Sequence, residues 1–343
     1  MSVTLHGQPA RFEGGLREIG SGVWAWLQPD GGWGEVNAGL VVGDGAAAVV
    51  DTLWDAPRAR QMLAAMEPHT RAAPIALAIN THSDGDHWWG NALLPRATEI
   101  VTSHASLETM REEAPPAGLA RLRGLARTVR HAPGGTGAMG RYVSEMLKPF
   151  DFEHTELRFP DRAFSGSSVE TVGGRELRLI EVGPAHTPGD LIVHLPDAGV
   201  VFAADILFVD VTPVMWKGPL ANWLRALDLL LALDADTFVP GHGPLGRREH
   251  VEALRDYWLW LDDGVRRHHA AGRSALQGAR ALIREPEFAR FRDWVCPERI
   301  ALNATTIHRL RAGKGPVPAT PPARARLFAH IAAIGRELQA GRR

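Results

Sequence analysis

The chain has 343 residues, of which 45% are hydrophobic and 22% charged, so a sizeable core is available and wholesale disorder is excluded. Its 38 Lys and Arg nearly balance its 39 Asp and Glu, which argues against nucleic acid or an anionic membrane surface as partner. The single cysteine, Cys296, excludes an internal disulfide and a thiolate metal cluster. Because neither a signal-peptide pattern nor an apolar run of ~20 residues is present, we expect a cytoplasmic protein.

Short apolar runs separated by Gly and Asp fill the first part of the chain. They predict strands at 23–27, 39–42, 46–50 and 75–79, and a helix at 56–66. The segment 104–150 is predicted to be mainly helical, with breaks at Pro115-Pro116 and Gly134-Gly135.

A second β-rich block begins near residue 160. Its predicted strands are 176–182, 191–195, 200–204 and 237–239, and the chain after about residue 246 is predicted to be helical.

The densest group of chemically active side chains is Thr81-His82-Ser83-Asp84-Gly85-Asp86-His87. It follows the apolar strand predicted at 75–79. Imidazole and carboxylate together suit zinc, iron or manganese rather than calcium. A solvated polar turn is the alternative interpretation of this segment by itself.

Three further residues occupy similar positions, each after an apolar strand: His186, Asp205 and His242. A lone His after a strand is more often a capping or core residue than a ligand. Loops at strand ends are rigidly positioned, however, and active sites favour them. Three such residues at strand ends, together with the His82–His87 group, therefore favour a metal site.

The order His-x-Asp-x-Asp-His, Gly-x-x-His-Thr-x-Gly, Ala-Asp and Gly-His-Gly resembles the metallo-β-lactamase superfamily over about residues 16–250. The resemblance implies an α/β fold, namely an αββα sandwich with the metals at one edge. It also implies a catalytic domain at 1–250 with a helical lid inserted at about 104–150, and a C-terminal helical extension at 251–343.

The resemblance further implies two metal sites. His82 and His186, with Asp84, would form the first site, and Asp86, His87, Asp205 and His242 the second, with Asp205 able to bridge. Asp51, at the end of the strand 46–50, corresponds to a residue that braces the metal loop. A simple strand-end Asx turn is an equally weighted alternative for Asp51.

Asp84 departs from the family pattern, since most relatives carry a His there. Three interpretations follow: two metals with Asp84 as a ligand, one metal with Asp84 as a free acid or base, or a damaged site. The expected cofactor is one or two zinc ions, with iron or manganese as alternatives because of the carboxylate. Asp84 or Asp86 would orient the attacking hydroxide or take its proton.

We therefore expect a hydrolase in which a metal-bound hydroxide attacks a bulky, apolar or aromatic small molecule: an ester, thioester, lactone or aryl halide. Candidate substrate contacts are Trp33, Trp88, Trp89, Trp216 and Lys217. Packing under helices is the alternative for the tryptophans, and plain solvent exposure for Lys217.

Short segments around these residues resemble the branch with polyketide cyclase/thioesterases and an aromatic hydrolytic dehalogenase. The alternative functions are a metal-dependent polyketide cyclase/thioesterase, a dimetal iron oxygenase or redox protein, and a non-catalytic binding module. The C-terminal helices offer a surface for a homodimer.

Overall fold

The computed structural model describes residues 3–341 of the protein, and their strands form two sheets. The first sheet has seven strands in chain order: β1 (Gly15–Gly20), β2 (Val23–Leu27), β3 (Ala38–Val42), β4 (Ala47–Val50), β5 (Ile75–Ile79), β6 (Glu99–Ser103) and β7 (Arg162–Phe164). The second has five: β8 (Ser167–Val172), β9 (Arg175–Glu181), β10 (Leu191–Leu195), β11 (Val200–Phe208) and β12 (Thr237–His242). The strands from β4 to β7 are mutually parallel, as are β11 and β12, whereas the other neighbouring strands are antiparallel.

The helices lie outside the two sheets. They are α1 (Ala56–Thr70), α2 (Gly85–Trp88), α3 (His104–Glu112), α4 (Pro116–Val129), α5 (Gly134–Leu147), α6 (Leu220–Ala232), α7 (Arg248–Ala270), α8 (Ala275–Leu282), α9 (Ile300–Arg311) and α10 (Pro321–Ala340). Short 3₁₀ turns occur at Trp89–Leu93, Pro286–Arg290 and Pro297–Arg299. No helix in the described range 3–341 has the length and apolar character needed to cross a bilayer.

Successive side chains of a strand point to opposite faces of its sheet, and this alternation builds the layers of the fold. In β2, Val23, Ala25 and Leu27 pack into the core between the two sheets, while Trp26 packs on the opposite face, toward the α1 side. An apolar strand buried on both sides therefore serves two cores at once. The expected αββα sandwich is confirmed.

The insertion between β6 and β7 consists of α3, α4 and α5. The two breaks predicted from sequence fall at helix starts: α4 begins at Pro116, and α5 begins at Gly134. The helix α4 packs on α5, and α5 also packs on the C-terminal helix α10. The insertion is therefore enclosed between the metal loop and the C-terminal helices, and its movement as a lid stays a prediction.

Two features of the second sheet differ from the sequence expectation. The strand β11 continues to Phe208, so Asp205 lies within the strand rather than at its end. The pairing of β11 with β12 shifts register on either side of Ala204, which has a φ of 45°. This irregularity re-aims the following side chain, as strand bulges commonly do next to functional sites.

Candidate metal centre

The predicted ligands meet at one edge of the sandwich, although they come from distant parts of the sequence. His82, Asp84, Asp86 and His87 follow β5, His186 lies between β9 and β10, Asp205 lies in β11, and His242 ends β12. Three sets of residues bring one ligand atom each to within 4.8 Å of the others: His82 with Asp84 and His186; Asp86 with His87 and His242; and His82 with His87 and Asp205. The structure thus brings together all seven residues that the sequence suggested.

The four imidazoles share one arrangement. The Nδ1 atom of each ring lies within hydrogen-bond distance of a protein oxygen: Thr81 Oγ1 for His82 (3.1 Å), Asp51 Oδ2 for His87 (2.7 Å), the Val214 carbonyl for His186 (2.5 Å) and the Glu35 carbonyl for His242 (3.1 Å). A partner on Nδ1 fixes the ring orientation and leaves Nε2 as the coordinating atom.

The Nε2 atoms face the carboxylates. Asp205 Oδ1 lies 3.2 Å from His87 Nε2, and Asp205 Oδ2 lies 3.3 Å from His186 Nε2 and 3.4 Å from His242 Nε2. Asp205 therefore stands between the two groups of ligands.

Buried atoms without partners test whether these residues fit a metal. His82 Nε2 is buried without a hydrogen-bond partner among the described residues, and His87 Nε2 and Asp205 Oδ1, although 3.2 Å apart, do not form a hydrogen bond of acceptable geometry. Buried polar atoms are normally satisfied. Burial by itself would raise the pKa of Asp205, but His242, His87 and His186 hold that pKa well below its usual value. A buried carboxylate ringed by inward imidazole nitrogens fits a divalent cation.

Asp51 braces the loop that carries the first ligands. Its carboxylate accepts hydrogen bonds from the Thr81 amide (2.8 Å) and the Thr81 hydroxyl (2.7 Å), besides its contact with His87 Nδ1. The backbone of Asp51 has a φ of 62°, in the left-handed region that few residues adopt. A local Asx turn would not make contacts 30 and 36 residues away, so the bracing role is the better account.

Asp84 lies where the group opens to solvent. Its side chain is 24% exposed and that of Asp86 is 16% exposed, whereas those of His186, His242 and Asp205 are at most 5% exposed. Asp84 Oδ2 lies 3.1 Å from His186 Nε2 and accepts a hydrogen bond of 2.9 Å from Trp216 Nε1. Burial would raise the pKa of Asp84, but the neighbouring His186 lowers it to about 2.

The five candidate substrate contacts fall into three groups. Trp33 and Trp216 are half-buried, and their ring centroids lie 6.2 Å apart beside Asp84. Trp88 and Trp89 are 1% and 3% exposed, which favours the alternative of packing under helices, and their role as substrate contacts stays a prediction. Both are packed under the insertion, where Trp88 donates to the Ser83 carbonyl at 2.8 Å. Lys217 is exposed.

Several residues near the opening were not found from sequence. Tyr142 of α5 accepts a hydrogen bond of 2.7 Å from Trp33 Nε1 and donates one of 2.9 Å to Glu298. The Phe328 ring centroid lies 5.9 Å from that of Trp33, and the Arg324 guanidinium carbon lies 4.1 Å above the Trp216 ring. These residues carry no local motif, and only the packing of α5 and α10 brings them here.

The fold and the ligand set define a metal-binding αββα protein. The model of the metallo-beta-lactamase superfamily matches residues 31–242, and the chain belongs to that superfamily. The family prediction is confirmed.

Known relatives differ in their named activities. The chain is 27% identical over 257 residues to the 2,4-dinitroanisole O-demethylase subunit alpha of Nocardioides sp., covering 73% of this chain and 62% of that protein. It is 26% identical over 235 residues to a linear primary-alkylsulfatase of Pseudomonas sp., covering 63% and 44%. A solved sec-alkylsulfatase of Pseudomonas sp. superimposes with a TM-score of 0.68 at 20% identity, covering 88% of this chain and 50% of that one.

The chain thus spans only 44% to 62% of the length of these relatives. None of these three carries the name of the polyketide cyclase or dehalogenase branch, and that finer resemblance stays a prediction.

Proposed function

We propose that the protein is a metal-dependent hydrolase of a small molecule with a bulky apolar or aromatic body. The observation that supports this most directly is the set of four imidazoles whose Nε2 atoms converge on Asp205, Asp84 and Asp86. When bound there, metal ions would lower the pKa of water toward neutrality and polarise the electrophile. Zinc is the first expectation for such a ligand set, with iron or manganese as alternatives.

The residues divide into two ligand groups. His82, Asp84 and His186 would hold one ion, and Asp86, His87 and His242 another, with Asp205 between them. The hydrogen bond from Trp216 Nε1 holds Asp84 Oδ2 against His186 Nε2, which favours the ligand role of Asp84 over a free acid or base. Asp86 is the second carboxylate at the opening, where it would orient the attacking water.

The surroundings of the opening support an apolar or aromatic substrate. Trp216, Trp33, Phe328 and Tyr142 form a continuous aromatic wall, with centroid separations of 6.2 Å, 5.9 Å and 6.4 Å between successive rings. Aromatic walls beside a few polar groups are typical of small-molecule sites. The names of two relatives are consistent with an apolar or aromatic substrate, since they refer to a nitroaryl ether and to alkyl sulfates. The insertion α3–α5 would act as the lid over this wall.

Metal analysis together with hydrolysis tests the proposal. Protein purified without added metal is expected to contain zinc, and to hydrolyse 4-nitrophenyl acetate until a chelator removes the metal. We expect His242→Ala and Asp205→Ala to lose most of the metal, and His82→Ala to lose less. Hydrolysis that survives complete removal of the metal would contradict the proposal, and iron with oxygen consumption would favour the redox alternative.

A further inference from the structure

A guanidinium at the opening of the metal centre is not used by the hydrolytic residues described above. Arg324 lies near the start of α10, and its guanidinium carbon is 4.1 Å from the centroid of the Trp216 ring. Trp216 in turn donates its Nε1 hydrogen to Asp84 Oδ2 at 2.9 Å. The Trp216 side chain therefore contacts both the Arg324 guanidinium and a proposed metal ligand.

Among the described arginines after residue 250 that are not exposed, Arg324 alone lacks a bonded acceptor. Within residues 3–341 its guanidinium makes no hydrogen bond or ion pair with a protein oxygen, although the residue is half-buried. By contrast, Arg280 donates to Glu337 at 2.6 Å and Arg299 donates to the Thr212 carbonyl at 3.1 Å. A half-buried guanidinium with free donors has the hydrogen-bonding capacity that a bound oxyanion would use.

The aromatic wall places apolar surface beside those donors. Trp216 contacts both the guanidinium and, through its ring edge, Asp84, while Trp33 and Phe328 continue the wall. An arginine stacked on an indole keeps its planar fork of donors oriented for a carboxylate or a similar oxyanion. A ligand that spans these groups would combine an apolar body with one anionic oxygen group.

We propose that Arg324 binds an anionic oxygen group of the substrate, so that the site selects apolar or aromatic molecules that carry a carboxylate or a comparable oxyanion. The inference rests on the proposed function, because it places the substrate at the opening beside Asp84. It makes Arg324 a specificity-determining residue supplied by the C-terminal helix.

The competing role for Arg324 is to offset negative charge. Asp84 and Glu113 are close enough to act electrostatically on Arg324. If that were its whole role, neutralising Arg324 would change the metal affinity or lower the thermal stability without changing the preference of the site for an anion. Ligand binding, metal content and thermal stability therefore have to be measured on the same variants.

The probe is benzoate, compared with its neutral analogue benzamide, each titrated calorimetrically into the zinc-loaded protein. We expect the unaltered protein to bind benzoate more tightly than benzamide. Arg324→Met should weaken benzoate binding by roughly tenfold or more, the usual effect of one charge-assisted hydrogen bond, and leave benzamide binding unchanged. Arg326→Met is the matched control, since Arg326 is exposed on the same helix, and it should bind both probes as the unaltered protein does.

Equal benzoate affinity in the unaltered protein and Arg324→Met would overturn the proposal, because benzoate would then bind through the metal alone. If Arg324→Met loses metal or stability, Arg324→Lys decides, since it keeps the charge. At equal zinc content, benzoate binding that is tighter in Arg324→Lys than in Arg324→Met supports the proposal, and equal benzoate binding by the two variants overturns it. Binding of benzoate requires no turnover, so a protein that fails to hydrolyse 4-nitrophenyl acetate contradicts the proposed function without deciding the role of Arg324.

Discussion

At the scale of single residues, the metal centre depends on contacts made behind the ligands. Each of the four proposed ligand imidazoles is oriented through Nδ1, and Asp51 joins two segments of the loop by bonding both Thr81 and His87. A ligand atom that is already oriented loses less conformational entropy on binding a cation, and a hydrogen-bonded imidazole is also the more basic ligand. Changes at these supporting residues should therefore appear as changes in metal affinity.

Asp84 is the residue at which the sequence departs from the pattern that the family resemblance implies. If Asp84 is a ligand, Asp84→Asn should lower metal content, because an amide is a weaker ligand than a carboxylate. Asp84→His should retain or raise zinc content by restoring the common ligand. Metal analysis of both variants, with hydrolysis rates, provides the measurement.

A free acid or base at Asp84 would behave differently. Asp84→Asn would then keep its metal and lose rate by roughly 10²–10⁴-fold. Full metal and full activity in Asp84→Asn would exclude both roles and leave Asp84 as a turn residue.

Asp51 gives a second prediction at this scale. Asp51→Asn preserves size and tolerates the left-handed backbone, but it places an amide NH₂ where one carboxylate oxygen accepted hydrogen bonds. We expect metal affinity to fall by roughly 10–100-fold, as for other residues that support a ligand. Competition with a chromogenic chelator measures the affinity.

Asp44→Asn is the control for Asp51→Asn, because Asp44 is exposed at the β3–β4 turn. It should leave metal affinity unchanged. An unchanged affinity in Asp51→Asn would mean that the carboxylate does not orient His87.

At the scale of elements, the close approach of β11 and β12 positions Asp205. Gly241 in β12 faces Asp205 so closely that an added Cβ would lie 1.8 Å from Asp205 Oδ1 and 2.9 Å from the Ala204 carbonyl carbon. Only glycine leaves the carboxylate where it is. The two strands thus act together as the support for one ligand.

Gly241→Ala should therefore displace Asp205 and reduce metal content severalfold, with a stability cost of about 1–3 kcal/mol from overpacking. Metal analysis and thermal unfolding measure the two effects. Gly135→Ala is the control, because a Cβ there meets nothing within 4 Å, and its effect should stay within about 1 kcal/mol. Unchanged metal content in Gly241→Ala would show that the strands separate easily.

At the scale of the whole molecule, the C-terminal helices complete a core rather than form a separate one. One apolar cluster contains Val201 and Phe208 of β11, Trp223 of α6, Trp258 of α7, and Leu302 and Ile331 of α9 and α10. All six are at most 1% exposed. Removal of the helices would expose the outer face of the second sheet.

A chain truncated after residue 250 is therefore expected to lose cooperative unfolding and to aggregate. Circular dichroism during heating and size-exclusion chromatography measure these properties. A chain shortened to residue 341 is the control and should behave as the full protein does. A truncated chain that melts cooperatively as a monomer would show that residues 1–250 fold independently.

The sequence by itself determined the local elements and the ligand types. Strands 23–27, 75–79 and 191–195 were predicted with the bounds that the structure has, because their apolar runs end at turn residues. The strands β1, β6, β7 and β8 were not predicted. In β8, exposed residues alternate with partly buried ones, and β7 is only three residues long. Neither segment is an apolar run, so hydrogen bonding to neighbouring strands rather than composition makes them strands.

Tertiary structure decided which side chains share the site. The spacing of His82, Asp84, Asp86 and His87 indicated a metal loop, but exposure distinguished Trp33 and Trp216 from the buried Trp88 and Trp89. Arg324 and Phe328 reach the opening only because α10 packs on α5 and α9. A motif is local and can be read along the sequence. Contacts between residues that lie more than two hundred positions apart depend on how the helices pack around the shared core.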